Sequence, residues 1–171
     1  MTDLIILATL LPGPKHGYQL KHEAGIILGQ EALHNNLVYP LLRRFMNSRW
    51  VTRKTVPGER GQTRHQYALT ALGRSVLLAR LSEFTDQDAQ SPASFRFRVS
   101  LFQLVGADVR RRILEARANF LRSRVAKLTA IQANFPLDRY ASDVVSLYRE
   151  ETHSELKWIR HLERLEKSGK A

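Results

Sequence analysis

The sequence contains no cysteine. Disulfide bonds, thiolate zinc sites and cysteine nucleophiles are therefore excluded. Long apolar runs are also missing, because the run Leu4–Leu11 is far shorter than the roughly 20 residues that a membrane span needs. No basic segment precedes this run, as it would in a secretory signal. We expect a mature protein of the cytoplasm that works without a cofactor.

Motifs of catalysis and metal binding are absent as well. The six histidines show no metal-ligand spacing beside a carboxylate. The sequence has no nucleophile elbow, no glycine-rich phosphate loop and no acid pair in a defined context. We predict no catalytic residue, no metal site and no enzymatic activity.

Acidic residues are scarce relative to basic ones. The 171 residues include 27 lysines and arginines against 16 aspartates and glutamates, which leaves a formal net charge of +11. Such an excess favours polyanionic partners, with nucleic acid ahead of an anionic membrane surface. Hydrophobic residues make up 43% of the chain, which is enough for a core in one ordinary domain or two small ones.

The first 85 residues predict three helices, a β-hairpin and a fourth helix that begins after Thr70. This order is typical of a winged helix-turn-helix, in which the third helix enters the major groove and the hairpin touches the flanking backbone. The first three predicted helices span Leu4–Leu11, Lys15–Ile27 and Leu37–Asn47, with Thr2 and Asp3 capping the first and Asn35 or Asn36 the third.

Helical spacing divides the third helix into a core face and a wet, basic face. The predicted core face consists of Leu37, Leu41, Leu42 and Phe45, and the predicted wet face of Tyr39, Arg43 and Met46.

Positive charge is concentrated from the end of the third helix to the hairpin. Between Arg43 and Arg64 there are seven basic residues and one acid. Arginines on these elements can reach phosphates or base edges, although each one alone could equally be a solvated surface charge. The predicted DNA-binding residues are Tyr18, Lys21, Asn35, Asn36, Tyr39, Arg43, Arg44, Arg60, Gln62, Arg64 and His65.

The polar stretch 86–91 indicates a boundary, and we expect a DNA-binding domain over residues 1–85 and a helical domain over residues 92–171. The last predicted helix, Arg139–Lys167 with Asp138 as its cap, would extend about 40 Å. A partner chain is expected to cover it, and an intramolecular helical pair is the alternative. The predicted dimerisation residues are Leu114, Leu121, Val125, Leu128, Tyr148, Leu156, Trp158, Ile159 and Leu162.

Three blocks resemble the signature of PadR-type transcriptional regulators. They are His16–Leu20, Val38–Leu42 and Arg64–Thr70 followed by Gly73. The resemblance implies a winged helix fold, a homodimer, usually repression, and in several members release by small aromatic compounds. Residues 95–166 also resemble the longer helical dimerisation domain of one subfamily.

Two positions depart from the family pattern. At Leu37 the family usually has a small or hydroxylated residue, so the resemblance implies that one phosphate contact is lost. At Arg49 the family commonly has glycine, and an arginine would be strained in a left-handed conformation. We therefore expect the third helix to end differently here.

The fold expected is mainly α with a small β-hairpin wing, followed by an all-α dimerisation domain. The function expected is a homodimeric, sequence-specific regulator, most simply a repressor modulated by a small ligand, that binds a near-palindromic operator in double-stranded DNA. The alternative is a winged helix protein-interaction module with only non-specific DNA binding.

Overall fold

The computed structural model describes residues 1–57 and 63–168. The chain forms two compact units, Met1–Glu83 and Phe84–Ala171. It is mainly helical, as predicted, with one small antiparallel sheet in the first unit. The first unit contains α1 (Thr2–Thr9), β1 (Lys15–His16), α2 (Gly17–Ile27), α3 (Asn35–Asn47), β2 (Val51–Pro57), β3 (Thr63–Leu69) and α4 (Ala71–Ser82).

The second unit is helical throughout its described residues. It contains α5 (Asp86–Gln90), α6 (Pro92–Val99), a 3₁₀ turn (Phe102–Leu104), α7 (Ala107–Asn134) and α8 (Arg139–Lys167). The polar stretch predicted as a boundary therefore includes a short helix, which Thr85 begins by accepting a hydrogen bond from the Asp88 amide (3.2 Å). Nowhere in the described residues is a helix both long and apolar enough to cross a membrane.

The sheet has three strands in the order β1-β3-β2, and both pairings are antiparallel. The predicted hairpin corresponds to β2 and β3, but β1 was missed. Lys15 pairs with Tyr67 and His16 with Gln66, so the prediction that α2 starts at Lys15 is wrong. A strand of two residues is too short to show sequence periodicity, so only its pairing with β3 identifies it.

α1 is buried, as its all-round apolarity predicts. Its predicted caps are wrong, because the helix begins at Thr2 after Met1 and no side chain caps it. Asp3 lies inside the first turn, where its Oδ1 accepts a hydrogen bond from the Leu4 amide (2.9 Å).

The junction between the wing and α4 depends on Thr70, the predicted cap. The Thr70 hydroxyl accepts a hydrogen bond from the Gly73 amide (2.9 Å) and donates to the Arg49 carbonyl (2.7 Å), which confirms the cap. Gly73 packs directly on the chain entering the wing, since a Cβ there would lie 2.0 Å from the Trp50 carbonyl oxygen. The two ends of the wing are thereby held together.

α7 and α8 form an antiparallel pair that encloses the core of the second unit. Arg110 bonds Glu166 (2.7 Å) near one end, and Arg149 bonds Gln132 (2.6 Å) near the other. Asp138 caps α8 by accepting from the Ala141 amide (2.9 Å), so the predicted start and end of this helix are both confirmed.

Candidate nucleic-acid interface

α3 is the candidate recognition helix, and its first turn carries two exposed amide side chains. Asn35 and Asn36 lie inside the helix, whose N-cap is His34 without a side-chain hydrogen bond. The prediction that either asparagine caps the helix is therefore wrong. Their amide groups are not used in capping and face solvent, where they can hydrogen-bond base edges or phosphates.

The buried face of α3 contains Val38 in place of the predicted Leu37, and Leu41, also predicted in the core, is only half-buried. Val38, Leu42 and Phe45 are at most 1% exposed and form the core face. Leu37, predicted in the core, is 41% exposed. Three buried positions spaced by four and three residues satisfy the helical period, and Leu37 falls outside their arc.

Tyr39 is 42% exposed on α3 and is positioned by α2. A Cβ at Gly17 would lie 3.0 Å from the Tyr39 Oη, so the ring rests directly on the backbone at the start of α2. Behind it lies Tyr67 of β3, which is buried. Burial raises the pKa of the Tyr67 hydroxyl, the charge of Arg53 opposes this rise, and Tyr39 adds to it.

Arg43 and Arg44 follow Tyr39 and are both exposed, but Arg44 has an acidic neighbour. Its Nη2 lies 3.7 Å from Asp3 Oδ2, and Arg80 of α4 contacts the same carboxylate oxygen more closely. Burial alone would raise the pKa of the Asp3 carboxyl, but the Met1 amino group, the Leu4 amide and Arg80 together hold it below its usual value. Asp3 is therefore an anion placed against the end of α3.

α3 ends in a left-handed residue despite the absence of glycine. Arg49 has a φ of 60°, its amide donates to the Met46 carbonyl (3.0 Å), and the Trp50 amide donates to the Phe45 carbonyl (2.8 Å). This is the Schellman arrangement, and the rings of Phe45 and Trp50 supply its apolar contact with centroids 5.6 Å apart. The expectation that the helix ends differently is wrong.

The wing contributes two of the predicted residues that the structure describes, Arg64 and His65 on β3, and both are exposed. His16 Nδ1 lies 3.2 Å from the His65 carbonyl oxygen, which ties the start of α2 to the wing. The other two predicted wing residues, Arg60 and Gln62, lie outside the described residues.

α2 supplies Tyr18, which is 72% exposed, and Lys21, which is half-buried. The Tyr18 ring stacks on His22 with centroids 6.3 Å apart. His16 is the N-cap of this helix, and its amide donates to the Gln19 side chain (2.9 Å).

α2, α3 and β3 meet around a shallow pocket of about 260 Å³. Gly17 and Tyr67 were not among the predicted DNA-binding residues, because their contribution is a close approach and a buried ring rather than a charge. The signals that contained them were the blocks His16–Leu20 and Arg64–Thr70. The pocket is lined by His16, Gly17, Tyr18, Tyr39, Arg64, His65 and Tyr67.

The predicted dimerisation residues of the second unit divide into three groups. Leu114, Leu121 and Ile159 are about 1% exposed and form the core of one chain, so they are not available to face a partner. Leu156, Trp158 and Leu162 are half-buried against that core. Val125 and Leu128 are half-buried, and Tyr148 is 42% exposed.

Beyond this core, large apolar side chains remain exposed where α7 ends and α8 begins. Tyr140 is 81% exposed, Phe135 62% and Leu147 51%. The further members of this apolar stripe are Ile131, Val144 and Tyr148.

A groove of about 880 Å³ borders the apolar stripe within the second unit. Leu121, Leu147 and Trp158 supply its apolar lining, and Arg96 and Arg124 are among its cations. Among the residues that the structure describes, no group of three or more histidines and acids could hold a metal ion.

Residues 6–79 match the family described as "Transcriptional regulator PadR-like family". The chain matches none of the curated proteins. Among solved structures it is similar to Bacillus subtilis PadR in complex with operator DNA, at 15% identity, 96% coverage of this chain and 98% of that one, with a TM-score of 0.47. It is also similar to smu.1604c from Streptococcus mutans UA159 (16% identity, 93% and 96% coverage, TM-score 0.41). A third is TA0346 from Thermoplasma acidophilum (25% identity, 61% and 92% coverage, TM-score 0.42).

Proposed function

We propose that this chain, whose residues 6–79 match the PadR-like family of transcriptional regulators, regulates transcription by binding a near-palindromic operator as a homodimer in the cytoplasm. The observation that carries this proposal is the exposed face of α3, where amide, phenol and guanidinium groups project beside the exposed cations of the wing. Such a face suits the major groove of duplex DNA.

The proposed contacts fall into two chemical classes. Asn35, Asn36, Tyr39 and Arg43 lie on α3, where their side chains can reach base edges and specify sequence. The remaining proposed contacts are taken to bind mainly phosphates, which fix the position of the protein without reading sequence. They are Tyr18, Lys21, Arg44, Arg60, Gln62, Arg64 and His65.

Dimerisation is proposed through α7 and α8. The apolar stripe that includes Phe135, Tyr140 and Leu147 is exposed in one chain, and a second copy would bury it with the half-buried Val125, Leu128 and Trp158. A twofold dimer places two α3 helices in successive major grooves, so the half-sites would be spaced by about 10 base pairs or a multiple.

We further propose that the bound dimer represses transcription and that a small ligand weakens its binding to DNA. The groove of the second unit supports this, because its lining combines the Trp158 ring with charges of both signs, Arg96 and Arg124 on one hand and Glu150, Glu151 and Glu155 on the other. The ring offers an aromatic ligand an apolar surface. Titration with small aromatic compounds tests this regulation. A compound that binds tightly and leaves DNA affinity unchanged would contradict it.

The first experiment is a selection of random duplex DNA by the full-length protein at near-physiological salt, with sequencing of the retained pool. We expect a near-palindromic motif. If the pool shows no enrichment and binding depends on salt alone, the chain is instead an interaction module with non-specific affinity for DNA, and the proposal fails.

Two variants then separate the classes of contact. Arg64→Ala removes one phosphate contact from each subunit, so it should weaken binding to all sequences and reduce the magnitude of the salt slope by about 2. Arg43→Ala should relax preference at one base position, with a loss of about 5-fold to 100-fold on the matched site alone. Unchanged affinity in both variants would place the interface elsewhere.

A further inference from the structure

Leu37 is an exposed aliphatic side chain on the helix that the proposed function places in the major groove. It lies in the first turn of α3 and is 41% exposed, whereas Val38 beside it is fully buried. Pro40, three residues later, is exposed as well. Residues three apart are neighbours on a helix surface, so Leu37 and Pro40 form a small apolar step on the outward side of α3.

The surroundings of this step are polar and basic. Asn36 and Arg43 are exposed on the same side of the helix, and α3 contains no acidic residue. An apolar protein partner would have to desolvate the amide and the guanidinium, whereas a DNA groove offers partners to both. The charge of this face therefore favours DNA as the occupant.

The major groove offers an aliphatic side chain one apolar group to contact. The C5-methyl group of thymine projects there, and the other three bases present hydrogen-bonding groups instead. Leu37 has no donor or acceptor and cannot replace the phosphate contact of a hydroxylated residue. Its contact with a methyl group would remove apolar surface of both from water.

We propose that Leu37 reads the methyl group of a thymine, so that each half-site contains an A·T pair beneath the first two turns of α3. The inference rests on the proposed sequence-specific binding and adds the base that the helix selects. Burial of one methyl group corresponds to about a fourfold change in affinity.

The test uses the full-length protein and the duplex motif that it selects from random DNA. Each thymine is replaced in turn by uracil, which removes the methyl group and keeps base pairing. Dissociation constants are measured at fixed salt for the parent protein, for Leu37→Ala and for Leu72→Ala. Leu72 is 51% exposed on α4, so its truncation controls for the loss of an exposed leucine.

We expect one uracil position per half-site to weaken binding of the parent about fourfold. Leu37→Ala removes this contact from both subunits, so it should bind the thymine duplex about 16-fold more weakly and lose this sensitivity, while Leu72→Ala should keep it. If selection succeeds but no uracil weakens binding, or if Leu37→Ala stays sensitive, the thymine contact is overturned and the proposed function stands. If selection enriches no motif, both fail. If Leu37→Ala changes only the oligomeric mass, Leu37 belongs to a protein interface and the inference is overturned.

Discussion

At the scale of single residues, Asp3 is an acid that lies beside the basic residues at the end of α3. Its carboxylate contacts Arg80 and lies 3.7 Å from Arg44. In the free protein, Arg44 is therefore drawn toward α1, and a DNA phosphate would compete with Asp3 for this guanidinium. The local sequence predicted Asp3 only as a helix cap, because no local pattern shows which distant arginines a carboxylate contacts.

We expect Asp3→Asn to raise affinity for duplex DNA about two- to fivefold at low salt, because an exposed ion pair is worth up to about 1 kcal/mol. Fluorescence anisotropy with a labelled duplex measures this change. Glu31→Gln is the matched control, since Glu31 is an exposed acid in the loop between α2 and α3. An equal gain in both variants would show an effect of net charge alone and contradict the prediction.

A second single residue, Arg49, affects the stability of the first unit through its backbone conformation. A left-handed conformation costs an L-residue with a Cβ about 1–2 kcal/mol, and Arg49 adopts it with a φ of 60°. We expect Arg49→Gly to stabilise the first unit by about 0.5–1 kcal/mol, after the added entropy of the unfolded chain is subtracted. Urea unfolding is followed by Trp50 fluorescence in a Trp158→Phe background.

Arg49→Ala serves as the control, because alanine removes the charge and keeps the Cβ. It should give no comparable stabilisation. Equal stabilisation by alanine and glycine would mean that loss of positive charge, rather than relief of backbone strain, raises the free energy of unfolding.

At the scale of elements, a buried ion pair connects α7 with α8. Arg117 is fully buried, its Nε and Nη2 donate to Glu155 at 2.8 and 3.0 Å, and its Nη1 donates to the Ala89 carbonyl (2.6 Å). The guanidinium also lies over the rings of Phe95 and Phe120, at 5.7 and 5.4 Å from their centroids. This one side chain joins α5, α6, α7 and α8.

Arg117→Met should destabilise the second unit by about 3–5 kcal/mol, because it leaves Glu155 without its main partner in a poorly solvated site. Arg117→Met with Glu155→Leu should recover more than half of that loss. Urea unfolding followed by Trp158 fluorescence in a Trp50→Phe background measures both variants.

Arg111→Met is the reference variant for an ion pair in water. Arg111 bonds Asp108 at 2.6 Å, but their side chains are 75% and 86% exposed, so the loss should stay within about 1 kcal/mol. A cost for Arg117→Met as small as this would show that the buried pair does not stabilise the helices.

At the scale of the whole molecule, the proposed dimer determines how strongly the chain binds DNA. A dimer that engages two half-sites gains about 10²- to 10⁴-fold over one module through effective concentration. Leu147→Glu should prevent dimerisation, because it places a charge in the exposed apolar stripe at the start of α8. We expect the mass from sedimentation velocity to halve, and affinity for a duplex with two half-sites to fall to that for one.

Ala126→Glu tests whether any added charge on the helical pair has this effect. Ala126 is exposed on α7, on the side of the helix opposite Leu121. This variant should remain dimeric. A dimer that survives Leu147→Glu would place the interface on another surface.

Periodicity and capping chemistry were enough to predict several elements. Thr70 and Asp138 were recognised as caps, the last helix was predicted from Arg139 to Lys167, and the β2–β3 hairpin followed from its turn residues and alternation. These signals are local, since each depends on residues within a few positions of one another. The residues 6–79 that match the family also include all three recognised blocks.

The sequence by itself determined the mainly helical fold, the small wing and the basic face of α3. The reason is that the hydrophobic period, the turn residues and the local charge each depend on residues that are close together in the sequence. Only the tertiary structure decided that Leu37 is exposed, that Asp3 faces Arg44, and that Leu114, Leu121 and Ile159 belong to the core of one chain. The physical reason is that burial and ion pairing depend on which element covers a side chain. A helix of correct period still presents several faces, and the neighbours that cover them come from distant parts of the chain.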